Sequence, residues 1–278
     1  MPSGALYMVG VPIGNLGDIT LRALWVLSRV DAVAAEDTRE TRKLLDRFGL
    51  SPKLLSVREH NERAGAEQII ARLDAGEKVA MVTDAGTPAV SDPGARVVDA
   101  VLDAGKRVIP IPGASAVVTA LSAAGLLGEG FRFVGFVPPQ PNARHSVLSE
   151  LAHYERPFVL YEAPHRIISL LEELGAVLQS GRRVVIAREL TKRFETITRL
   201  HAEDLSAWAQ RHDPKGEYVI LIDEMRSSGV GLNEEARKWL NALSSELPAS
   251  RLSAVGAKAT GLPRQVIYDF LLGNKRDR

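Results

Sequence analysis

The feature that most constrains this chain is a regular alternation in its first 115 residues. Short apolar runs at 6–11, 32–35, 54–57, 78–83 and 108–111 are separated by segments whose apolar residues recur at helical spacing. Runs this short read as strands, and runs apolar throughout read as strands buried on both faces. The intervening segments at 19–30, 41–48, 64–75 and 96–104 read as helices, the last three closed by Gly49, Gly76 and Gly105. Strand and helix in strict alternation predict an α/β lobe with a mostly parallel sheet and helices on both faces. The loops that follow the strands then gather on one edge, where ligands bind in such folds.

After residue 115 the rhythm changes. Strands are expected at 131–137, 158–162, 183–188, 195–199 and 218–222, with helices near 146–153, 167–178 and 203–210. The short separation between the third and fourth of these strands predicts a hairpin, and therefore a mixed second sheet. The expected organisation is an N-terminal α/β lobe over 1–115, a second α/β lobe over 116–225 and a small helical C-terminal domain over 226–278. Residues 226–231 have the small, flexible composition of a linker. Helix 252–260, turn 261–263 and helix 264–272 follow the spacing of a helix-turn-helix unit, with Ala254, Ala257, Val266, Ile267 and Phe270 as packing residues. From Arg226 onward nine Lys/Arg face five acids, so this segment carries +4 while the whole chain carries +1. A basic tail on a mildly acidic body suits an anionic partner, and a solvated helix surface gives the same count.

Composition removes several classes of chemistry. The chain has no cysteine, which excludes disulfides and thiol catalysis, and its six histidines show no metal-ligand spacing, so no metal site is expected. No stretch is long and apolar enough to span a membrane, and the N-terminus lacks the regions of a signal peptide, so a cytoplasmic protein is expected.

Three loops at strand ends carry the candidate chemistry. The first, Gly10-Val11-Pro12-Ile13-Gly14-Asn15, places a proline, which has no N–H, where a dinucleotide fingerprint needs glycine. No phosphate-binding Gly-Lys-Ser/Thr occurs either, and a plain strand-to-helix turn remains the alternative. The second, from Asp84-Ala85-Gly86-Thr87-Pro88 to Ser91-Asp92-Pro93-Gly94, lets backbone approach a ligand closely while prolines fix its path. Its plainer reading has Asp92 capping a helix that begins near Pro93. The third, Pro112-Gly113-Ala114-Ser115-Ala116, offers small residues and free N–H groups at a helix start, or again a simple turn.

These loops, in this order, resemble the tetrapyrrole-methylase superfamily of S-adenosylmethionine-dependent methyltransferases. The stretches from Leu6 to Ile19, Ala35-Glu36-Asp37-Thr38-Arg39, the second and third loops, Tyr161-Glu162-Ala163-Pro164-His165-Arg166 and Arg188-Glu189-Leu190-Thr191-Lys192 are most similar to the ribosomal RNA small subunit methyltransferase I family. That family methylates a cytidine ribose 2′-hydroxyl in 16S rRNA. Gly86-Thr87-Pro88 stands where the corrin and porphyrin branch has Gly-Asp-Pro, which argues against a tetrapyrrole substrate. The resemblance implies a cofactor cleft between the two lobes, with S-adenosyl-L-methionine near Pro12, Asp84, Gly86, Pro88, Val90, Ala114, Ser115, Tyr161, Ala187 and Gly216. It also implies a homodimer.

A ribose hydroxyl is a poor nucleophile, so a base or a cation that favours the alkoxide helps its methylation. Glu36, Asp37, Arg39, His60 and Glu189 are the candidates. RNA contacts are expected from Arg39, Arg42, Lys43, Arg144, Arg166, Lys192 and Arg193, and in the tail from Arg251, Lys258, Arg264, Lys275 and Arg276. A small-molecule C-methyltransferase and a non-catalytic RNA-binding protein on the same scaffold are the competing readings.

Overall fold

A computed structural model describes residues 1–126, 130–225, 232 and 234–273. The expected linker at 226–231 and the tail residues Lys275 and Arg276 lie outside the described residues. The chain divides into two compact units, Met1–Glu224 and Met225–Arg278.

The first unit opens with β1 (Ala5–Val9), α1 (Leu21–Leu27), β2 (Ala32–Ala35), α2 (Thr38–Arg47), β3 (Lys53–Ser56), α3 (Glu62–Asp74), β4 (Val79–Val82), α4 (Ala95–Asp103) and β5 (Arg107–Ile111). The five strands form one sheet in the order β3-β2-β4-β1-β5, and every pairing is parallel. Side chains alternate across it. Tyr7 and Val9 pack with Val26, Leu27 and Leu45 under α1 and α2, whereas Leu6 packs with Ile69, Leu73, Val97 and Val101 under α3 and α4. Burial on both faces is why the inner strands β1, β2 and β4 are apolar at every position, whereas the edge strands β3 and β5 carry Lys53, Ser56 and Arg107.

Capping explains where sequence and structure differ at helix ends. The α2 helix starts at Thr38, earlier than periodicity suggests, because the Asp37 carboxylate accepts the Arg39 N–H. Asp92 caps nothing: the N-cap of α4 is Gly94 at φ 136°, and its N–H is taken by the buried Glu62 carboxylate. Asp92 is thereby free for another role.

After α5 (Ala116–Ala124), the second sheet is built from β6 (Arg132–Phe136), β7 (Phe158–Glu162), β8 (Arg183–Arg188), β9 (Thr196–His201) and β10 (Tyr218–Ile222). Its order is β6-β7-β10-β8-β9; β6 and β7 are parallel and the other pairs antiparallel. The expected hairpin is β8–β9, in register from Arg183↔His201 to Arg188↔Thr196. Helices α6 (Pro141–Ala152), α7 (Ile167–Val177) and α8 (Leu205–Ala209) cover one face. Pro141 starts α6 ahead of the expected 146 because its fixed φ suits a first helical position. The other face carries α5 through Val117 and Ala120, and Ile13 from the first loop packs there too.

The second unit contains α9 (Glu234–Leu243), α10 (Ala249–Thr260) and α11 (Arg264–Gly273) around Leu240, Leu252, Ile267 and Leu271. Gly261 closes α10 in the left-handed conformation, giving the expected tight turn into α11. Among the described residues no helix is long and apolar enough to cross a membrane.

Two glycines set how closely the first and third loops approach. A Cβ on Gly113 would lie 2.6 Å from the Gly10 carbonyl oxygen, and one on Gly10 would lie 2.8 Å from the Gly113 Cα. Both neighbours are backbone and cannot step aside. Gly113→Ala is therefore expected to destabilise by about 1–3 kcal/mol through overpacking. Gly105→Ala, where only a left-handed φ of 68° is strained and nothing lies within 4 Å, is expected to cost only roughly 1 kcal/mol. Urea denaturation of the two variants checks the difference.

Candidate active site

The strand-end loops of the first sheet converge because β1 lies between β4 and β5. Val11 and Gly86 form an isolated antiparallel bridge, the Val11 N–H donating to the Gly86 carbonyl (2.9 Å) and the Gly86 N–H to the Val11 carbonyl (3.1 Å). Gly86 adopts φ 81°, a conformation that favours glycine. Thr87 ties the second loop to the third by donating from Oγ1 to the Ala114 carbonyl (3.0 Å). Asp84 ties it to the loop after β2 by accepting the Asp37 N–H (3.0 Å). Ala89 and Ser91 also have positive φ, 68° and 64°, so the second loop holds non-glycine residues in a strained path. Such strain persists where the surroundings over-determine the backbone, and it collects at ligand sites.

Between this loop cluster and the second sheet lies a cavity of about 370 Å³, within the range of small-molecule sites. Gly86, Val90, Ser91, Asp92 and Ser115 wall it on one side; Phe136, Tyr161, Glu162, Tyr218 and Val219 wall it on the other. Tyr161 makes edge contacts with Phe133 (5.1 Å) and Phe136 (5.6 Å), and burial together with the nearby Asp92 charge pushes its phenol up to about 12. It is a neutral wall of the cavity at physiological pH.

The charges of this lining are one-sided. Asp92, Glu162 and Glu217 contribute carboxylates, and no Lys, Arg or His is among the lining residues. Two of the three have cations beside them from outside the lining: Lys192 pairs with Glu217 at 2.7 Å, and the Arg166 Nε lies 3.1 Å from Glu162 Oε1. Asp92 has no ion-pair partner among the described residues. Burial, the Glu36 charge and the Asp84 charge raise its pKa to about 6, against a hydrogen bond from Thr83 that lowers it.

Of the residues expected around a cofactor, Gly86, Val90, Ser115 and Tyr161 line the cavity. Asp84, Ala114, Pro12 and Pro88 belong to the same loops without lining it: Asp84 and Ala114 act as loop ties, and Pro12 and Pro88 flank the bridge and the Thr87 tie. Ala187 is fully buried in β8, and Gly216, at φ 103°, packs against the Glu189 side chain. Phe136 and Leu190 lie in stretches that carry the family resemblance without having been expected at the cofactor, and Val219, with no sequence signal, reaches the cavity through the pairing of the second sheet.

None of the five residues expected to handle the proton is among the residues that line the cavity. Glu36 directly follows β2 and accepts from Thr83 Oγ1 (3.2 Å). Asp37 is the α2 cap, and the Arg39 guanidinium holds its carboxylate well below the usual range. Arg39 itself is exposed. His60 lines a separate depression with Glu62, Arg63 and Arg96. Glu189 is engaged by Lys192 Nζ (2.9 Å) and the Glu217 N–H (3.0 Å), which keep its pKa low, the environment of a structural anion rather than a base.

Two of the expected RNA-contacting arginines have structural partners instead. Arg144, with only 12% of its side chain exposed, binds Glu173 and Ser169, and Arg166, 18% exposed, donates to the Val137 carbonyl beside Glu162. Buried ion pairing of this kind removes them from the surface. Arg193 remains available, its guanidinium 5.5 Å from the ring of Phe194.

The profile of the Tetrapyrrole (Corrin/Porphyrin) Methylases matches residues 5–206. The chain belongs to the tetrapyrrole methylase family. Its fold is shared by cobalt precorrin-4 methyltransferase, at TM-score 0.60 and 20% identity over 80% of this chain and 97% of that one. Within the family it is 44% identical to ribosomal RNA small subunit methyltransferase I of Vibrio cholerae, over 99% of this chain and 97% of that protein. The protein of the same name from Escherichia coli O157:H7 is 42% identical over 97% of this chain and 95% of its own length. Residues 230–275 match the RsmI C-terminal HTH domain, so this tetrapyrrole methylase also has the C-terminal module of the ribosomal RNA branch.

The raised pKa of Asp92 has a sign for stability. A carboxyl that holds its proton more tightly when folded stabilises at low pH, and that contribution is lost as pH rises from about 4 to about 6. Asp92→Asn is expected to melt higher than the parent at pH 7.5 and at the same temperature at pH 4, with a gain of about 1 kcal/mol after allowance for solvent screening. Calorimetric melts at the two pH values check this.

Proposed function

We propose that this chain transfers a methyl group from S-adenosylmethionine to the ribose 2′-hydroxyl of a cytidine in the 16S rRNA of the small ribosomal subunit. The observation that carries the proposal is the cavity between the two sheets, walled by carboxylates and lacking any cationic side chain in its lining. A sulfonium cofactor with a net positive charge fits such a lining, and a dinucleotide or nucleoside triphosphate does not. The loops after β1, β4 and β5 and the strand end at Tyr161 would hold it, largely through backbone. When bound, the cofactor supplies an electrophilic methyl carbon.

The residues of the chain contribute position and exclusion of water. Ala85, Gly86 and Thr87 bring backbone to the ligand because the Val11 bridge fixes them. Tyr161, Phe136 and Val219 supply a hydrophobic wall. The choice of ribosomal RNA over a tetrapyrrole follows the relatives that match nearly the whole length and the helix-turn-helix module at the C-terminus. A cytoplasmic homodimer is part of the same proposal, resting on family resemblance.

Methyl-labelled S-adenosylmethionine incubated with the protein and either 30S subunits or naked 16S rRNA is expected to label one cytidine on its 2′-oxygen, as mapped by nuclease digestion and mass spectrometry. Label in neither RNA, or on a base rather than a ribose, would contradict the proposal. Removing the residues after Glu224, a boundary between two compact units, is expected to weaken RNA binding at least tenfold while cofactor affinity stays within about twofold, in keeping with loss of phosphate contacts from the tail. Filter binding and calorimetry measure the two.

A further inference from the structure

Methyl transfer to a hydroxyl still needs a group that receives its proton, and none of the five candidates lines the cavity. Behind the cavity wall, three polar side chains from three segments meet. Thr83 directly follows β4 and is almost fully buried. Its hydroxyl donates to Glu36 Oε2, just after β2, at 3.2 Å, and the Asp92 carboxyl lies near both. A threonine hydroxyl has one proton to donate. That proton goes to Glu36, and the half-buried Asp92 carboxyl has the like charges of Glu36 and Asp84 as its neighbours. The set therefore takes up one extra proton more readily than an isolated carboxylate does. Of the two acids, Asp92 is the one that lines the cavity.

We propose that Asp92 is the catalytic base, accepting the ribose 2′-hydroxyl proton as the methyl group is transferred, with Thr83 and Glu36 as positioning residues behind it. This rests on the ribose-methylation reading above. The ribose oxygen forms a bond to the methyl carbon, the carbon–sulfur pair leaves on sulfur, and the O–H proton passes to Asp92. No oxidant, metal or covalent enzyme adduct is needed for the balance. The charged and titratable groups facing Asp92 are Glu36 just after β2, Asp84 after β4 and Tyr161 on β7. None is a cation, so among the described residues only the Thr83 hydroxyl works against proton uptake, and it is outweighed by burial and the two acids. Burial and these two acids bring the affinity of the carboxyl to about 6, where a base is ionised at neutral pH yet still takes a proton readily. Asp37 and Glu189, each held in the ionised form by a cation, lack that property.

The test is single-turnover methylation of 30S subunits as a function of pH, with each variant saturated with cofactor at concentrations set by calorimetric titration. In the wild type the rate is expected to rise through an acid limb and level off. In D92N the limb is expected to vanish and the plateau rate to fall by about 100-fold, the scale of a lost general base. E36Q keeps Asp92 but removes its neighbouring charge, so its limb is expected at lower pH. Carbon-13 NMR of labelled carboxyls supplies a readout independent of turnover: one resonance titrating near 6, absent in D92N and displaced to lower pH in E36Q. D92N is expected to fold, being more stable than the parent at neutral pH. A D92N rate within tenfold of wild type, or an acid limb that persists in D92N, would overturn the assignment. Wild-type protein that labels no ribose at all would instead sink the reading on which it rests.

Discussion

The site depends on a clasp between two backbones. Paired hydrogen bonds between Val11 and Gly86 join the loop after β1 to the loop after β4, and the remaining geometry follows from them. With these loops fixed, Thr87 reaches the Ala114 carbonyl and Asp84 reaches the Asp37 N–H. Four loops are thereby tied to one another. The clasp is possible because β1 and β4 are adjacent parallel strands ending at the same level, and because Gly86 and Gly113 tolerate a backbone path that a Cβ would strain or block. A ligand site built this way is pre-organised: little ordering is left for binding to cost.

Electrostatics divides the site into two zones. Glu217 and Glu162 at the second sheet have Lys192 and Arg166 beside them, although burial still pushes the Glu162 carboxyl up. Asp92 at the first sheet faces nothing but acids and neutral groups among the described residues, so its environment resists ionisation. Carboxylates in such contrasting surroundings take different roles, which is how one fold separates positioning from proton transfer. The arrangement weakens the fold at neutral pH, as expected where function and stability compete.

Much of the fold was legible in the sequence because burial on both faces leaves a plain mark. The runs at 6–11, 32–35 and 78–83 are mostly apolar, and each overlaps a strand of the parallel sheet. The hairpin of β8 and β9 was legible from its short connection. Helix starts were less so, since Asp37 and Pro141 shift them through single local contacts that periodicity does not register. For the site, the loops were legible from their Gly and Pro content, but the roles within them were not. Asp92 precedes Pro93-Gly94 as a helix cap would, and only the structure shows that Glu62, 32 residues away, binds the helix start and leaves Asp92 beside Thr83. Phe136 and Val219 enter the cavity through the strand order of the second sheet, which no local pattern encodes.

The central claim, that the clasped loops and the second sheet together enclose the methyl donor, is tested most directly by a crystal structure of the protein bound to sinefungin, a non-reactive analogue of S-adenosylmethionine with an amine in place of the sulfonium. The analogue is expected between Gly86, Val90 and Ser115 on one side and Tyr161 and Val219 on the other, with its cationic centre on the side of Asp92. Density for it elsewhere on the molecule, or in the cavity with the cationic centre turned away from Asp92, would show that the clasped loops and the second sheet do not hold the methyl donor in this way.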